Sequence, residues 1–195
     1  MKTLIWILSL GLLIACGDKK SSSKTKYEKQ LNTAGDQFES GSYTDAKTSF
    51  EAAIALDPDK ATAYSGLAWC EFKLNNLSAA ATQFATAATK TNPPADAYAG
   101  WGFLLNAQKD YTGSNAKADL ALNKDNTWEF TYGLGLSYQD LYVVKAENYF
   151  LLSDFASSLA MVKLLNNSFN ADINTDAGRA ALAKEIETRK GLAKR

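Results

Sequence analysis

The sequence predicts an all-α chain, an α-α superhelix of three repeated helix pairs, a degenerate fourth pair and a C-terminal capping helix. Three observations predict it. Side chains recur every 34 residues: Tyr43, Leu77 and Tyr111; Ala46, Ala80 and Ser114; Phe50, Phe84 and Ala118; Ala53, Ala87 and Ala121. A fixed interval of this length marks stacked supersecondary units. Within a unit the spacing is helical, since Tyr64, Leu67, Ala68 and Glu71 stand at i, i+3, i+4 and i+7. Polar breaks at 40–42, 75–76 and 109–110 then divide each unit into two helices.

Residues 1–15 read as a signal peptide. A single positive charge, Lys2, precedes an apolar run from Leu4 to Ile14. That run is shorter than the roughly 20 residues a permanent membrane span needs. It closes on Leu13-Ile14-Ala15-Cys16, which resembles a bacterial lipobox. The resemblance implies cleavage before Cys16 and its modification by lipid of the palmitate class. Gly17, rather than an aspartate, follows the cysteine, which by the same resemblance favours the outer membrane, facing the periplasm. Residues 16–26 are polar and are expected to form a lipidated flexible tether, reaching at most about 35 Å for ten residues. One cysteine, Cys70, then remains, so no internal disulfide forms and a buried, inert thiol is expected.

Residues 27–126 carry the three repeats. Gln30 and Thr33 replace large apolar residues in the first, as in an imperfect cap. The second helix of the first unit ends at Asp57-Pro58, because proline cannot continue a helix. In the third unit Ser114 and Ala118 stand where larger or purely apolar residues are expected, so its second helix, over about 113–123, is expected to be thinly packed. Residues 127–172 form the degenerate fourth repeat, with Tyr142, Ala146, Tyr149, Ser158, Val162 and Leu165 in register after an insertion of roughly ten residues near 133–140. Residues 173–195 form the capping helix, N-capped by Thr175 and presenting Ala177, Leu182 and Ile186 inward.

The units resemble tetratricopeptide repeats, whose pattern is aromatic-x2-Leu-Gly-x2-Tyr, then Ala-x3-Phe-x2-Ala, then Pro. Ala46, Phe50, Ala53 and Pro58 carry it in the first unit; Tyr64, Leu67, Ala68, Ala80, Phe84 and Ala87 carry it across the second. The resemblance implies that the first helix of each pair lines a concave face. It places a peptide-binding groove at Phe38 and Glu39, at Trp69, Phe72 and Lys73, and at Phe103 and Asn106. It also places Leu31, Gly35, Ser65, Ala99 and Ala107 on that face. Phe38 and Phe72 either face the groove or pack against neighbouring helices.

Composition narrows the function. The chain has 21 basic and 21 acidic residues, which gives no electrostatic reason to bind nucleic acid. It has no histidine, which removes His-based triads and His metal ligands. No phosphate loop, nucleophile elbow or clustered metal ligands appear, so no enzyme, cofactor or metal is expected. The expected role is a membrane-anchored adaptor or assembly factor for protein partners in the cell envelope. The alternative is a carrier of a small apolar ligand or lipid, using the aromatic-rich residues 128–142.

Overall fold

A computed structural model describes residues 17–193, with side chains from Lys24 to Leu192. The expected signal peptide and lipidated Cys16 lie outside the described residues. The helices are α1 (Gly17–Glu39), α2 (Tyr43–Leu56), α3 (Ala61–Lys73), α4 (Leu77–Thr89), α5 (Ala95–Ala107), α6 (Tyr111–Lys124), α7 (Tyr138–Leu151), α8 (Phe155–Leu165) and α9 (Asp176–Ala193). They pack as the pairs α1/α2, α3/α4, α5/α6 and α7/α8, and each second helix also packs on the first helix of the next pair. The first helices α1, α3, α5 and α7 neighbour one another in turn, which makes them the inner layer of a superhelix. Among the described residues no helix is long and apolar enough to cross a membrane.

One turn motif closes every pair. Gly41, Asn75, Lys109 and Ser153 each adopt left-handed backbone, with φ of 79°, 62°, 65° and 63°. The amide of each donates to the carbonyl three residues back, and the next amide reaches the carbonyl five back, as in Asn75 to Phe72 and Asn76 to Glu71. This Schellman arrangement satisfies carbonyls that the helix end would otherwise orphan. The intervals are 75 − 41 = 34, 109 − 75 = 34 and 153 − 109 = 44. The fourth pair is therefore in register after ten extra residues.

A size match holds one pair to the next. The Phe50 ring lies where a Cβ on Gly66 would fall, at 2.2 Å, and the Phe84 ring lies 2.4 Å from that of Gly100. The second-helix phenylalanine of one unit therefore fills the space above a glycine sixteen residues on. In the third unit Ala118 takes the phenylalanine position, and the register places Val144 at the glycine position (100 + 44). The bulk has changed sides.

The structure corrects three expectations. The second helix of the third pair is not thinly packed. Ser114 is fully buried and donates to the Gly102 carbonyl at 2.8 Å. The Asn148 amide donates to Ser114 and to Asn115, both at 2.9 Å, and Asn106 donates to Asn148 at 2.7 Å. A satisfied polar network joins α5, α6 and α7 where the first two pairs use apolar bulk. In the fourth pair Ser158 repeats the first of these bonds, to Ala146 at 2.7 Å.

The expected flexible tether is also helical from Gly17 onward. Residues 18–26 hold no proline or glycine to stop α1 from propagating back from its packed end. As helix, ten residues span about 15 Å. In α9, Thr175 caps as expected, accepting from Gly178 at 3.0 Å, and Leu182 and Ile186 are buried. Ala177, however, is exposed. The inward stripe runs Gly178, Leu182, Ile186 at intervals of four, and Gly178 abuts the Asp172 backbone, leaving Ala177 rotated off that face.

The core has two parts. A large cluster unites the first three pairs with Trp128 and Phe130, while Ala146, Val162, Leu182 and Ile186 form a second beneath the cap. Lys190 ties α9 to α7 through Glu147 at 2.7 Å.

Candidate functional site

The inserted residues between α6 and α7 fold into a finger that occupies the concave face. Thr127 starts it by donating from its amide and hydroxyl to Asp125, each at 3.0 Å. The legs pair through Phe130 to the Leu136 carbonyl at 2.8 Å and Tyr138 to the Trp128 carbonyl at 2.7 Å, around an antiparallel bridge between Glu129 and Ser137. Gly133 and Gly135, with φ of 72° and 66°, turn the tip. A capping box ends the finger and starts α7: the Ser137 amide donates to Asp140 at 2.7 Å. The insertion thus ends at Ser137, earlier than the expected 133–140.

Along 128–136 burial alternates. Trp128 and Phe130 are buried and Tyr132, Leu134 and Leu136 half-buried, while Glu129, Thr131, Gly133 and Gly135 are exposed. The inward residues cross the inner helices one after another. Trp128 faces Phe103 of α5, with ring centroids 6.3 Å apart; Phe130 faces Trp69 of α3 at 4.4 Å and Phe38 of α1 at 5.6 Å; Tyr132 reaches Phe38 at 5.9 Å. Gly35 makes room for the last of these, because a Cβ there would lie 2.9 Å from the Tyr132 ring. Burying each such aromatic contributes about 1.5–3 kcal/mol.

Asp96, buried in the first turn of α5, clasps the finger. Its carboxylate accepts the Trp128 indole N–H and the Thr131 hydroxyl, each at 2.6 Å, while its carbonyl accepts the Trp69 indole at 2.9 Å. Burial holds the Asp96 carboxyl above its ordinary value, against the hydrogen bonds from Thr131 and Trp128, which lower it. Folding therefore favours the protonated form. The resulting stability is full below the unfolded value of 3.8 and is lost as pH rises through the raised folded value. Lowering the pH from neutral towards about 4 is thus expected to move the stability difference between wild type and Asp96→Asn in favour of wild type. Parallel urea-unfolding series at each pH check this, and a constant difference would refute it.

The structure separates the expected groove residues. Phe38 and Trp69 line the concave face but are 1% and 2% exposed, because Phe130 covers them. Trp69 is a buried anchor rather than an open contact. Phe72 and Phe103 remain half-buried, with Lys73 exposed over the Tyr43 ring at 5.4 Å. Glu39 lies beside Gly133, and Asn106 belongs to the polar network. Open space remains beyond the finger's return leg. A hollow of about 410 Å³ is lined by Trp69, Phe72, Lys73, Phe103, Leu134 and Leu136. Phe103 and Leu136 also line a second hollow of about 220 Å³, with Asn106, Asp140, Val143, Val144, Glu147 and Lys190, so the two hollows adjoin at these residues.

The alternative expectation is a carrier of a small apolar ligand or lipid using the aromatic-rich residues 128–142. Trp128 and Phe130 instead fill the groove as packed core. The finger itself was missed, although its alternation in Trp128-Glu129-Phe130-Thr131-Tyr132 is a strand signal. Cys70 is buried, and burial pushes its thiol up to about 12, so it is inert as expected. Among the described residues no three His, Cys, Asp or Glu side chains gather as metal ligands.

Comparison with known proteins agrees with this geometry. Residues 31–99, from α1 into α5, match the tetratricopeptide repeat family model. Residues 31–99 therefore match tetratricopeptide repeats, and the chain as a whole shares the fold of such proteins. Similar solved structures include YrrB, a tetratricopeptide repeat protein with an unusual peptide-binding site, at 13% identity and a TM-score of 0.63, covering 91% of this chain and 84% of that one. A tetratricopeptide repeat protein from Parabacteroides merdae aligns at 12% identity and a TM-score of 0.60, covering 86% of this chain and 61% of that one. MamA aligns at 17% identity and a TM-score of 0.56, covering 93% and 99%. At these identities the likeness concerns the fold. No curated protein matches the chain. Within the tetratricopeptide repeat frame, the finger takes the face where the resemblance placed a bound peptide.

Proposed function

We propose that this protein is a non-catalytic adaptor or assembly factor that docks an extended segment of a protein partner on its concave face. Lipid at Cys16 anchors it to the bacterial outer membrane, where it faces the periplasm. Tetratricopeptide repeats support a protein-interaction role, and YrrB, a structural neighbour, has a peptide-binding site. The observation that carries the reading is the pair of adjoining apolar hollows at Phe72, Phe103, Leu136 and Val144, bordered by Lys73, Asn106, Asp140, Glu147 and Lys190. Apolar surface with a few polar groups at its rim is the usual composition of a docking hot spot. Confinement to one membrane leaflet raises the local concentration of partners there.

In-cell cross-linking followed by mass spectrometry tests the docking. Phe72→Ala and Phe103→Ala are each expected to reduce recovery of a partner about tenfold, as loss of a half-buried aromatic at an interface does. Leu120→Ala, exposed on α6, serves as the control and is expected to change nothing. Full recovery in both phenylalanine variants would sink the reading. Labelled palmitate is expected to join the wild-type chain and not Cys16→Ser.

A second reading retains a small apolar ligand. The hollow of about 410 Å³ is within the size of small-molecule sites, and of its lining residues Trp69, Phe72, Lys73, Phe103, Leu134 and Leu136 all but Lys73 are aromatic or aliphatic without charge. Saturable tryptophan-fluorescence quenching by a fatty acid, blocked by Phe72→Ala, would favour it.

A further inference from the structure

We propose that the groove of the first three repeats recognises an extended strand of alternating aromatics, that the finger is its resident occupant, and that a partner strand of this pattern displaces it. The inference rests on the docking role above and names the chemistry of what docks.

The groove is shaped for the pattern rather than for the finger's connection to the chain. Successive inner helices offer Phe103, Trp69 and Phe38 to every second residue of the strand. Gly35 leaves the space that the Tyr132 ring enters, and Asp96 reads an indole N–H and a hydroxyl three residues apart. A strand with aromatics at the same alternate positions presents these rings on one face, and a hydroxyl residue three positions after its tryptophan, on the other face, completes the match to Asp96.

The finger is held in the groove by its side chains. Its main-chain to main-chain hydrogen bonds run within itself and to its own flank: Phe130 to Leu136, Tyr138 to Trp128, and Trp128 to Asp125. Side chains therefore supply its hold on the groove, and these are what an incoming strand replaces in kind. Two left-handed glycines at the tip leave the legs joined without bulk. The hollow beside Leu134 and Leu136, floored by Trp69, Phe72 and Phe103, gives the incoming strand a place to engage before the finger moves.

The test adds a nine-residue peptide of the sequence 128–136 to the full-length protein, with a control peptide in which its three aromatics are alanine. The expected result is saturable binding of the first peptide only, with loss of hydrogen-exchange protection at the amides of Phe130 and Tyr138. Thr131→Ala in the protein removes one bond to Asp96 from the resident finger but not from the peptide. It is expected to raise peptide affinity about tenfold, and Thr131→Ser to restore the wild-type value. Binding with both amides still protected, an unchanged affinity in Thr131→Ala, or no binding at all would each overturn the proposal. Those outcomes leave the docking role to the cross-linking result, whereas finger displacement with full partner recovery in Phe72→Ala and Phe103→Ala would sink the docking role alone.

Discussion

Phe130→Ala is expected to destabilise the protein by about 3–5 kcal/mol, the usual cost of emptying a buried aromatic site. For a chain of this size that corresponds to a fall in Tm of roughly 10 °C. The reason lies in what Phe130 joins. Its ring contacts Trp69 and Phe38 on two different repeats, and Trp128 and Tyr132 on its own finger. Stacked repeats otherwise couple only to their neighbours, so their unfolding is weakly cooperative along the array. The finger adds a tie from α5 through α3 to α1. Its loss should lower cooperativity as well as stability. Urea unfolding followed by tryptophan fluorescence and by far-ultraviolet circular dichroism should coincide in wild type and separate in Phe130→Ala. Coincident transitions with a change below about 1 kcal/mol would show that the finger adds little to the core.

Gly100→Ala is expected to cost about 1–3 kcal/mol or more through overpacking, despite alanine's better helix propensity. The added Cβ would fall 2.4 Å from the Phe84 ring and 2.6 Å from the Trp69 indole. Both rings are at most 2% exposed, and Trp69 is further held by its bond to the Asp96 carbonyl, so neither yields cheaply. Gly191→Ala in α9 provides the internal comparison. Nothing lies within 4 Å of its added Cβ, so the same change should be neutral or stabilise by up to about 1 kcal/mol. Thermal unfolding of the two variants decides it, and equal effects would refute the steric account. Combining Gly100→Ala with Phe84→Leu should recover part of the loss, since the leucine vacates the overlapping ring atoms.

Much of the fold was legible because its causes are local. Phe50 with Gly66 and Phe84 with Gly100 repeat one size match at a constant interval, and the turn residues Gly41, Asn75 and Lys109 mark the same interval. A helix pair declares itself over about thirty residues, long enough for periodicity to outweigh accident. The tether was misjudged because polar composition alone does not stop a helix that packing has already nucleated at Tyr27, Ala34 and Phe38. The third pair was misjudged because Ser114 reads as a loss of bulk. Its hydroxyl finds Gly102 and Asn148, contacts that depend on how three helices meet.

The candidate site divides in the same way. The inner-face positions Trp69, Phe72 and Phe103 follow from the tetratricopeptide repeat resemblance, and all three line one hollow. Their accessibility does not follow from it. Trp69 is closed and Phe72 partly open because of a segment some sixty residues further on.

The order of helices and the turn within each pair were carried by this sequence alone, since hydrophobic period and capping residues act within one or two turns of the chain, and the inner face followed from the resemblance to tetratricopeptide repeats. What fills that inner face was decided only in three dimensions. The curvature of the stacked pairs brings Asp96 to Trp128 and Gly35 to Tyr132, and a nine-residue alternation cannot announce which distant surface will bury it.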